Sequence, residues 1–451
     1  MHILKGYTKQ EISWMMYDWA NSAHSVIIVT LLPIFFDTVA GYTADSVSSM
    51  STWGYATSIA MLIVALAAPF LGVFGDIRGM RKKLFSFFML LGVAACAGMA
   101  FTPGMDFTSG PVAAGKVASL ILVLYIVSVI GFDASAIYYD AFLTDVTIED
   151  RMDKVSTMGY GLGYIGGSTI PLLIFLIMNL VGVPMLTCLA FVFGLTAVWW
   201  LAFSLPLLKN CEQTSGKPYE KGDVARSIKG VGTTIKEIIA NKPMLIYILS
   251  YFFYIDGVHT VISMATTYGT NLGLDSTGMM LALLLVQILG LPFCLLYIKC
   301  SEKFGARTMV GFGICVYMFI CIFAFFMNSL WQFWVLAVLC ATSQGGIQAL
   351  SRSMYGKLIP DKDRSGEFFG FFDIFGKFSS IMGPALVGVV SSVVANGMLG
   401  VQGLTAQTAT AEQIDAINAQ SSHYGILSII IIIIVGAVLY FGFLPKAEHA
   451  K

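Results

Sequence analysis

Apolar residues run along this chain in long blocks separated by short polar breaks. A stretch of about 20 apolar residues spans a bilayer core as a helix. Twelve blocks reach that length, with approximate limits 14–39, 52–74, 84–103, 116–142, 155–180, 184–206, 243–270, 277–299, 308–328, 331–354, 368–394 and 423–444. They predict an all-α membrane protein of twelve transmembrane helices. The breaks at 180–184 and 328–331 predict tight hairpins, and the Ala-, Gln- and Thr-rich stretch 395–422 predicts a surface loop without chemistry.

Charge orients the pattern. Counted alternately from an inner N-terminus, the outer breaks 40–51, 104–115, 181–183, 271–276, 329–330 and 395–422 contain no Lys or Arg. They do hold Asp45, Asp106, Asp275, Glu412 and Asp415. Lys116 sits at an outer helix mouth and Lys377 within a block; the other Lys and Arg residues fall on the inner side. By the positive-inside rule both termini are cytoplasmic. The charged segment 207–242, with Lys209, Lys217, Lys221, Arg226, Lys229, Lys236 and Lys242 against Glu212, Glu220, Asp223 and Glu237, separates six blocks from six. The expected organisation is two six-helix bundles, 1–206 and 243–451, joined by a cytoplasmic linker at 207–242. The halves repeat weakly: Asp76…Gly79…Arg81 after block two answers Glu302…Gly305…Arg307 after block eight, as internal transporter repeats do.

The composition agrees. Of 451 residues 57% are hydrophobic and 12% charged, about half the ~25% charge of soluble domains; no nucleic-acid partner is expected, although the formal net charge of zero itself says nothing on that point. No cleavable signal peptide is evident, because the first block is too long and lacks a small-residue cleavage site. The cell membrane is therefore the expected location. Eight cysteines without CxxC spacing suggest neither a disulfide framework nor a zinc site. Catalytic metalloprotease, nucleophile-elbow and phosphate-loop motifs are missing, so neither an enzyme nor a cofactor is expected.

Polar residues inside the blocks carry the functional signal. Uncompensated charge in lipid costs about 2.5–3.5 kcal/mol even on the lenient scale. In Tyr17-Asp18-Trp19-Ala20-Asn21-Ser22-Ala23-His24-Ser25, Asp18, Asn21 and Ser25 share one helical face. A helix-bundling hydrogen bond and a solute-lining face both fit. Asp256 and His259, at i and i+3, also share a face, and either can exchange a proton or make a structural hydrogen bond. Asp373 and Lys377, at i and i+4, can pair along their helix, or Lys377 can await a carboxylate or phosphate of the substrate. At about 1.5 Å per residue Lys377 is roughly 15 Å beyond Glu367, near the midplane. Asp256 is equally deep; Asp18, Asp133, Asp373 and Arg352 lie in the cytoplasmic half. Trp14, Trp199, Trp200, Trp331 and Trp334 read as interfacial anchors. Glycines 159, 161, 163, 166 and 167 with Pro171, and Gly370, Gly376, Gly383 with Pro384, suit close packing or a hinge.

Two resemblances follow. Six plus six helices, a basic middle loop and Gly72, Asp76, Gly79, Arg81 and Lys82 resemble the major facilitator superfamily's Gly-x-x-x-Asp-Arg-x-Gly-Arg-Arg/Lys loop. Ile77 and Met80 stand where arginines are usual, weakening a charge relay there. More narrowly, Tyr17–Ala23 resembles the first-span signature of the UMF1 family, which includes fungal autophagy-linked vacuolar amino-acid effluxers. Tyr138–Leu143, Gln348–Ser353 and Glu367–Ser380 resemble its later signatures in the expected order. His24 replaces the usual Phe and Asp140 the usual Asn. The resemblance implies a secondary transporter whose spans one, four, seven and ten line the solute path. The expected solute contacts are Asp18, Asn21, Asp133, Asp256, Gln344, Gln348 and Lys377. Asp256, His259, Asp373, Arg352, Asp76 and Arg81 are expected in proton coupling or gating. The expected function is alternating-access transport of a small polar metabolite by a monomer in the lipid bilayer, with an amino acid as best guess and proton coupling. Sodium coupling, a sugar, phosphorylated or lipid-like solute, and less readily a membrane receptor or enzyme, stay open.

Overall fold

The structure is a computed structural model, and it describes residues 4–43, 49–218, 223–403, 408 and 410–444. Asp45, Glu220 and Lys221 lie outside the described residues. Among those described, twelve helices are long and apolar enough to cross a membrane: Lys9–Ala40, Thr52–Gly75, Arg81–Gly104, Pro111–Val146, Glu149–Leu180, Met185–Asn210, Lys242–Asn271, Thr277–Phe304, Ala306–Phe325, Leu330–Leu358, Lys362–Val401 and Glu412–Phe443. They are called spans one to twelve. Helix is the expected answer here, because hydrocarbon offers no hydrogen-bond partners and every backbone group must be satisfied within its own segment.

The contacts divide the chain into two compact units. The first holds Met1–Thr234 with Gly356–Ile374, the second Ile235–Tyr355 with Phe375–Lys451. In the first unit span one packs against spans five and six, span three against four and six, and span two against four. In the second, span twelve packs against seven and nine.

Span one begins at a capping box: Glu11 N–H donates to Thr8 Oγ1 at 3.1 Å, and Thr8 N–H to Glu11 Oε2 at 2.8 Å. The reciprocal bonds satisfy two amides that the helix leaves without partners. Span five changes winding midway, with a π-helical segment at Tyr164–Thr169 just before Pro171. There Gly166 lies under the Trp19 ring so closely that a Cβ would come within 2.0 Å of it. Span one can seat Trp19 only against a glycine.

Two expectations need correction. The stretch 395–422 is mostly helix, because span eleven's helix continues to Val401 and the next begins at Ala411 behind a Thr410–Gln413 capping box. Its Ala, Gln and Glu residues are good helix formers, which the low hydropathy obscured. The segment 207–242, expected as the linker, contains the helix Asp223–Ala240. Trp14 and Trp200 are fully buried and do not anchor an interface. Trp14 stacks on Tyr139 with ring centroids 4.4 Å apart, and its Nε1–H donates to the Tyr139 carbonyl at 2.8 Å. A buried partner for the indole N–H makes this core position tolerable.

Candidate functional site

Within the second unit, span seven carries Asp256 and His259 one turn apart, yet the two side chains have different partners. Asp256 is completely buried. Its Oδ1 accepts the Gly383 backbone N–H at 2.9 Å and lies 3.4 Å from Thr260 Oγ1. Gly383 immediately precedes Pro384, inside span eleven. The contact again needs glycine, because a Cβ there would come within 1.8 Å of Thr260 Oγ1. Asp256 Oδ2 is buried and meets no hydrogen-bond partner among the described residues. His259 instead contacts Gln348 of span ten by a side-chain hydrogen bond and lies within electrostatic reach of Lys377. Gln348 Nε2 donates to the Gln344 carbonyl at 3.1 Å. The structure thus brings His259, Gln348 and Lys377 together and leaves Asp256 apart, against Gly383. Arg352, also in the second unit, is buried.

In the first unit Asp18 and Asn21 are buried on span one. Asp18 faces Gly159, where an added Cβ would lie 2.4 Å from its Oδ2. Asp133 is buried on span four, near enough to Tyr125 to interact with it electrostatically. Asp373 is half-buried on span eleven, one turn before Lys377. His24, a departure from the family signature, is buried in the same bundle. Its ring stacks on Phe132 and its Nε2 sits 3.2 Å from Ser128 Oγ.

Asp76 and Arg81 belong to a denser cluster. Arg81 is fully buried. It donates from Nη2 to Asp76 Oδ1 and Ser365 Oγ, both at 2.9 Å. From Nη1 it donates to Asp145 Oδ2 at 2.5 Å, to the Ala141 carbonyl at 3.1 Å and to Ser215 Oγ at 3.2 Å. Asp76 also accepts the Gly366 N–H at 2.7 Å and the Glu367 N–H at 2.8 Å. It therefore caps the first turn of the helix Ser365–Val401, where the dipole favours an anion. Two aspartates share one guanidinium. Burial pushes the Asp76 carboxyl up to about 7, against the opposing pull of Arg81 and the two amides, while nearby Glu367 adds to the rise.

Sequence reasoning missed what holds this cluster. The stretch Gln213–Lys217 crosses it as a strap. Gln213 Oε1 accepts the Gly79 and Arg81 amides at 2.9 and 3.3 Å, and its Nε2 donates to the Gly75 carbonyl at 3.0 Å. Thr214 and Ser215 give Asp145 Oδ1 two amide and two hydroxyl hydrogen bonds. Lys217 exchanges backbone bonds with Asp76 and Arg78, and Gly216 N–H donates to Asp363 at 2.8 Å. A second missed pair is Glu11–Arg151, 2.7 Å apart, with Thr147 also donating to Glu11. The Asp150-Arg151 and Asp363-Arg364 doublets, at matching places in the two halves, were the available signal.

A family model described as "Vacuole effluxer Atg22 like" matches residues 7–406. The chain belongs to that family. Over 452 residues this Atg22-like chain is 40% identical to the MFS-type transporter YxiO of Bacillus subtilis, covering 98% of the chain and 96% of that protein. Autophagy-related protein 22-1 of Penicillium rubens is 25% identical over 274 residues, 55% of this chain and 46% of that protein. Among solved structures, the MFS proton:xylose symporter XylE superposes with a TM-score of 0.70 at 14% identity, covering 98% of this chain and 96% of that one. A bacterial homologue of the iron transporter ferroportin, in an outward-facing state, gives 0.63 at 16% identity over 95% and 98% of the two chains. Likeness at these identities shows the fold. With the family, it makes the chain a multi-pass major facilitator transporter and not an enzyme.

Proposed function

We propose that this transporter moves a small polar metabolite, an amino acid, across the cell membrane by alternating access coupled to protons. The observation that carries the reading is Asp256, a carboxyl deep in span seven with one oxygen on the Gly383 amide and the other without a hydrogen-bond partner among the described residues. A buried ionisable group inside a membrane span marks a solute or proton path by default. Protonation lets such a carboxyl stay in its apolar setting; release of the proton requires access to water, which alternating access supplies.

In this reading His259 shares the coupling step, and Lys377 with Gln348 and Gln344 holds the solute's carboxylate end. Asp18, Asn21 and Asp133, in the first unit, are further solute contacts, with Asp18 suited to an amine. Asp76, Arg81 and Asp373 in the first unit, and Arg352 in the second, act in proton coupling or gating. Both termini are cytoplasmic, six-helix bundles 1–206 and 243–451 flank the linker 207–242, and the working unit is a monomer. The word "effluxer" in the family's description supports export of a solute.

A thermal-shift screen of the purified protein against a metabolite panel, at acidic and neutral pH, tests the reading. A ligand at about 100 times its dissociation constant stabilises by about 2.7 kcal/mol. Amino acids should raise the melting temperature, and Lys377→Ala should lose that rise while staying folded. A shift confined to sugars, phosphorylated solutes or lipids would replace the amino-acid assignment.

A further inference from the structure

Beside the His259–Gln348 contact, one turn along span ten, the second unit contains a cavity of about 90 Å³. A single water needs only about 10–15 Å³, so the space is several times larger than a water site. Side chains of spans seven, eight, nine, ten and twelve line it, and none of the lining residues is charged. An ordered water cluster does not suit it, because waters need two to four polar partners each. What polarity there is comes from few groups. Tyr268 is committed, its hydroxyl meeting the Ala324 carbonyl and His423 Nδ1. Gln287 lines the cavity with its Oε1 buried and without a hydrogen-bond partner among the described residues. Gln344, nine-tenths buried, adds a second carboxamide.

We infer that this cavity is a binding site for a small uncharged molecule with an apolar body and one hydrogen-bonding group, such as an aromatic or branched alcohol. The lining excludes an ion, because no countercharge faces it and a desolvated charge would stay unbalanced. The orphaned carboxamide oxygen selects a donor over a pure hydrocarbon, since an unpaired buried acceptor gains most from a partner. Such a ligand would sit between spans seven and ten, on the helices that also carry His259 and Gln348. The inference stands on the cavity and does not depend on the solute or on proton coupling.

The cavity carries its own reporters, Cys321 and Cys340, with Cys315 exposed elsewhere on span nine as the control. Purified protein is labelled with N-ethylmaleimide with or without benzyl alcohol, and modification of each cysteine is read by mass spectrometry beside a melting curve. At about ten times its dissociation constant the alcohol should slow Cys340 labelling about tenfold by mass action, leave Cys315 unchanged and raise the melting temperature. Benzoate should do neither. Ala337→Leu, which fills the cavity, should abolish both effects, and Gln287→Leu should make toluene as effective as benzyl alcohol. Equal slowing at Cys340 and Cys315, equal protection by benzoate, or no protection together with no melting shift would overturn the proposal. Protection by oleyl alcohol alone would overturn it in favour of a lipid tail.

Discussion

Asp76 and Asp256 are both buried aspartates that accept backbone N–H groups from the same helix, Ser365–Val401, and they are built to opposite ends. Asp76 takes the helix's first-turn amides at Gly366 and Glu367, together with a guanidinium that it shares with Asp145. Asp256 takes one amide, at Gly383 beside Pro384, and its second oxygen meets no partner among the described residues. The first is a carboxyl group surrounded by donors, whose removal should be felt as structure. The second has a single donor, and its change should be felt in transport. Burial alone does not distinguish a latch from a proton site; the number and charge of the donors do.

The largest effect should come from Arg81→Ala, which leaves Asp76 and Asp145 buried without their cation. Breaking one side of a buried pair costs about 3–5 kcal/mol, so the variant should unfold at markedly lower denaturant. Adding Asp76→Asn should recover part of the loss; no recovery would break the claim that the two aspartates compete for one charge. Next, Gly383→Ala forces a methyl onto Thr260 and should cost about 1–3 kcal/mol in the same assay, with an added Thr260→Ala restoring most of it. Gln213→Ala removes the acceptor of two amides and the donor to the Gly75 carbonyl. It should cost about 1–3 kcal/mol and raise hydrogen exchange at Gly79 and Arg81 first.

A smaller, sharper effect concerns pH. Asp76 is raised from 3.8 to about 7 in the folded protein. The folded state therefore keeps a proton there that the unfolded chain releases. Its contribution to stability is complete below 3.8 and is lost as pH rises through about 7. Between those limits the melting temperature of the wild type should fall with rising pH more steeply than that of Asp76→Asn. Parallel curves would show that Asp76 stays ionised and that the shared guanidinium suffices for both aspartates.

The architecture was legible because hydrocarbon permits little choice: twelve long apolar runs become twelve helices. Asp256 was legible for the same reason, as a carboxylate where lipid should exclude one. What escaped were features whose signal is not periodic. Gln213, Thr214 and Ser215 resemble any polar linker, and their partners Gly79, Arg81 and Asp145 lie at least 69 residues away. Trp14 and Trp200 misled because an indole has the same composition at an interface as in a core, and only the Tyr139 carbonyl and the Tyr17 hydroxyl reveal where each one sits. Asp256 and His259 shared a face by helical spacing, yet tertiary packing gave one to span eleven and the other to span ten.

The central claim, that Asp256 exchanges a proton during transport while Asp76 holds structure, is tested most directly in liposomes. The protein is reconstituted with a pH-sensitive dye inside, and solute-driven proton movement is compared for the wild type and Asp256→Asn. Asparagine keeps an acceptor for the Gly383 N–H but cannot exchange a proton. The account predicts an unchanged melting temperature, retained solute binding and proton movement at background level. Proton movement equal to that of the wild type would contradict it.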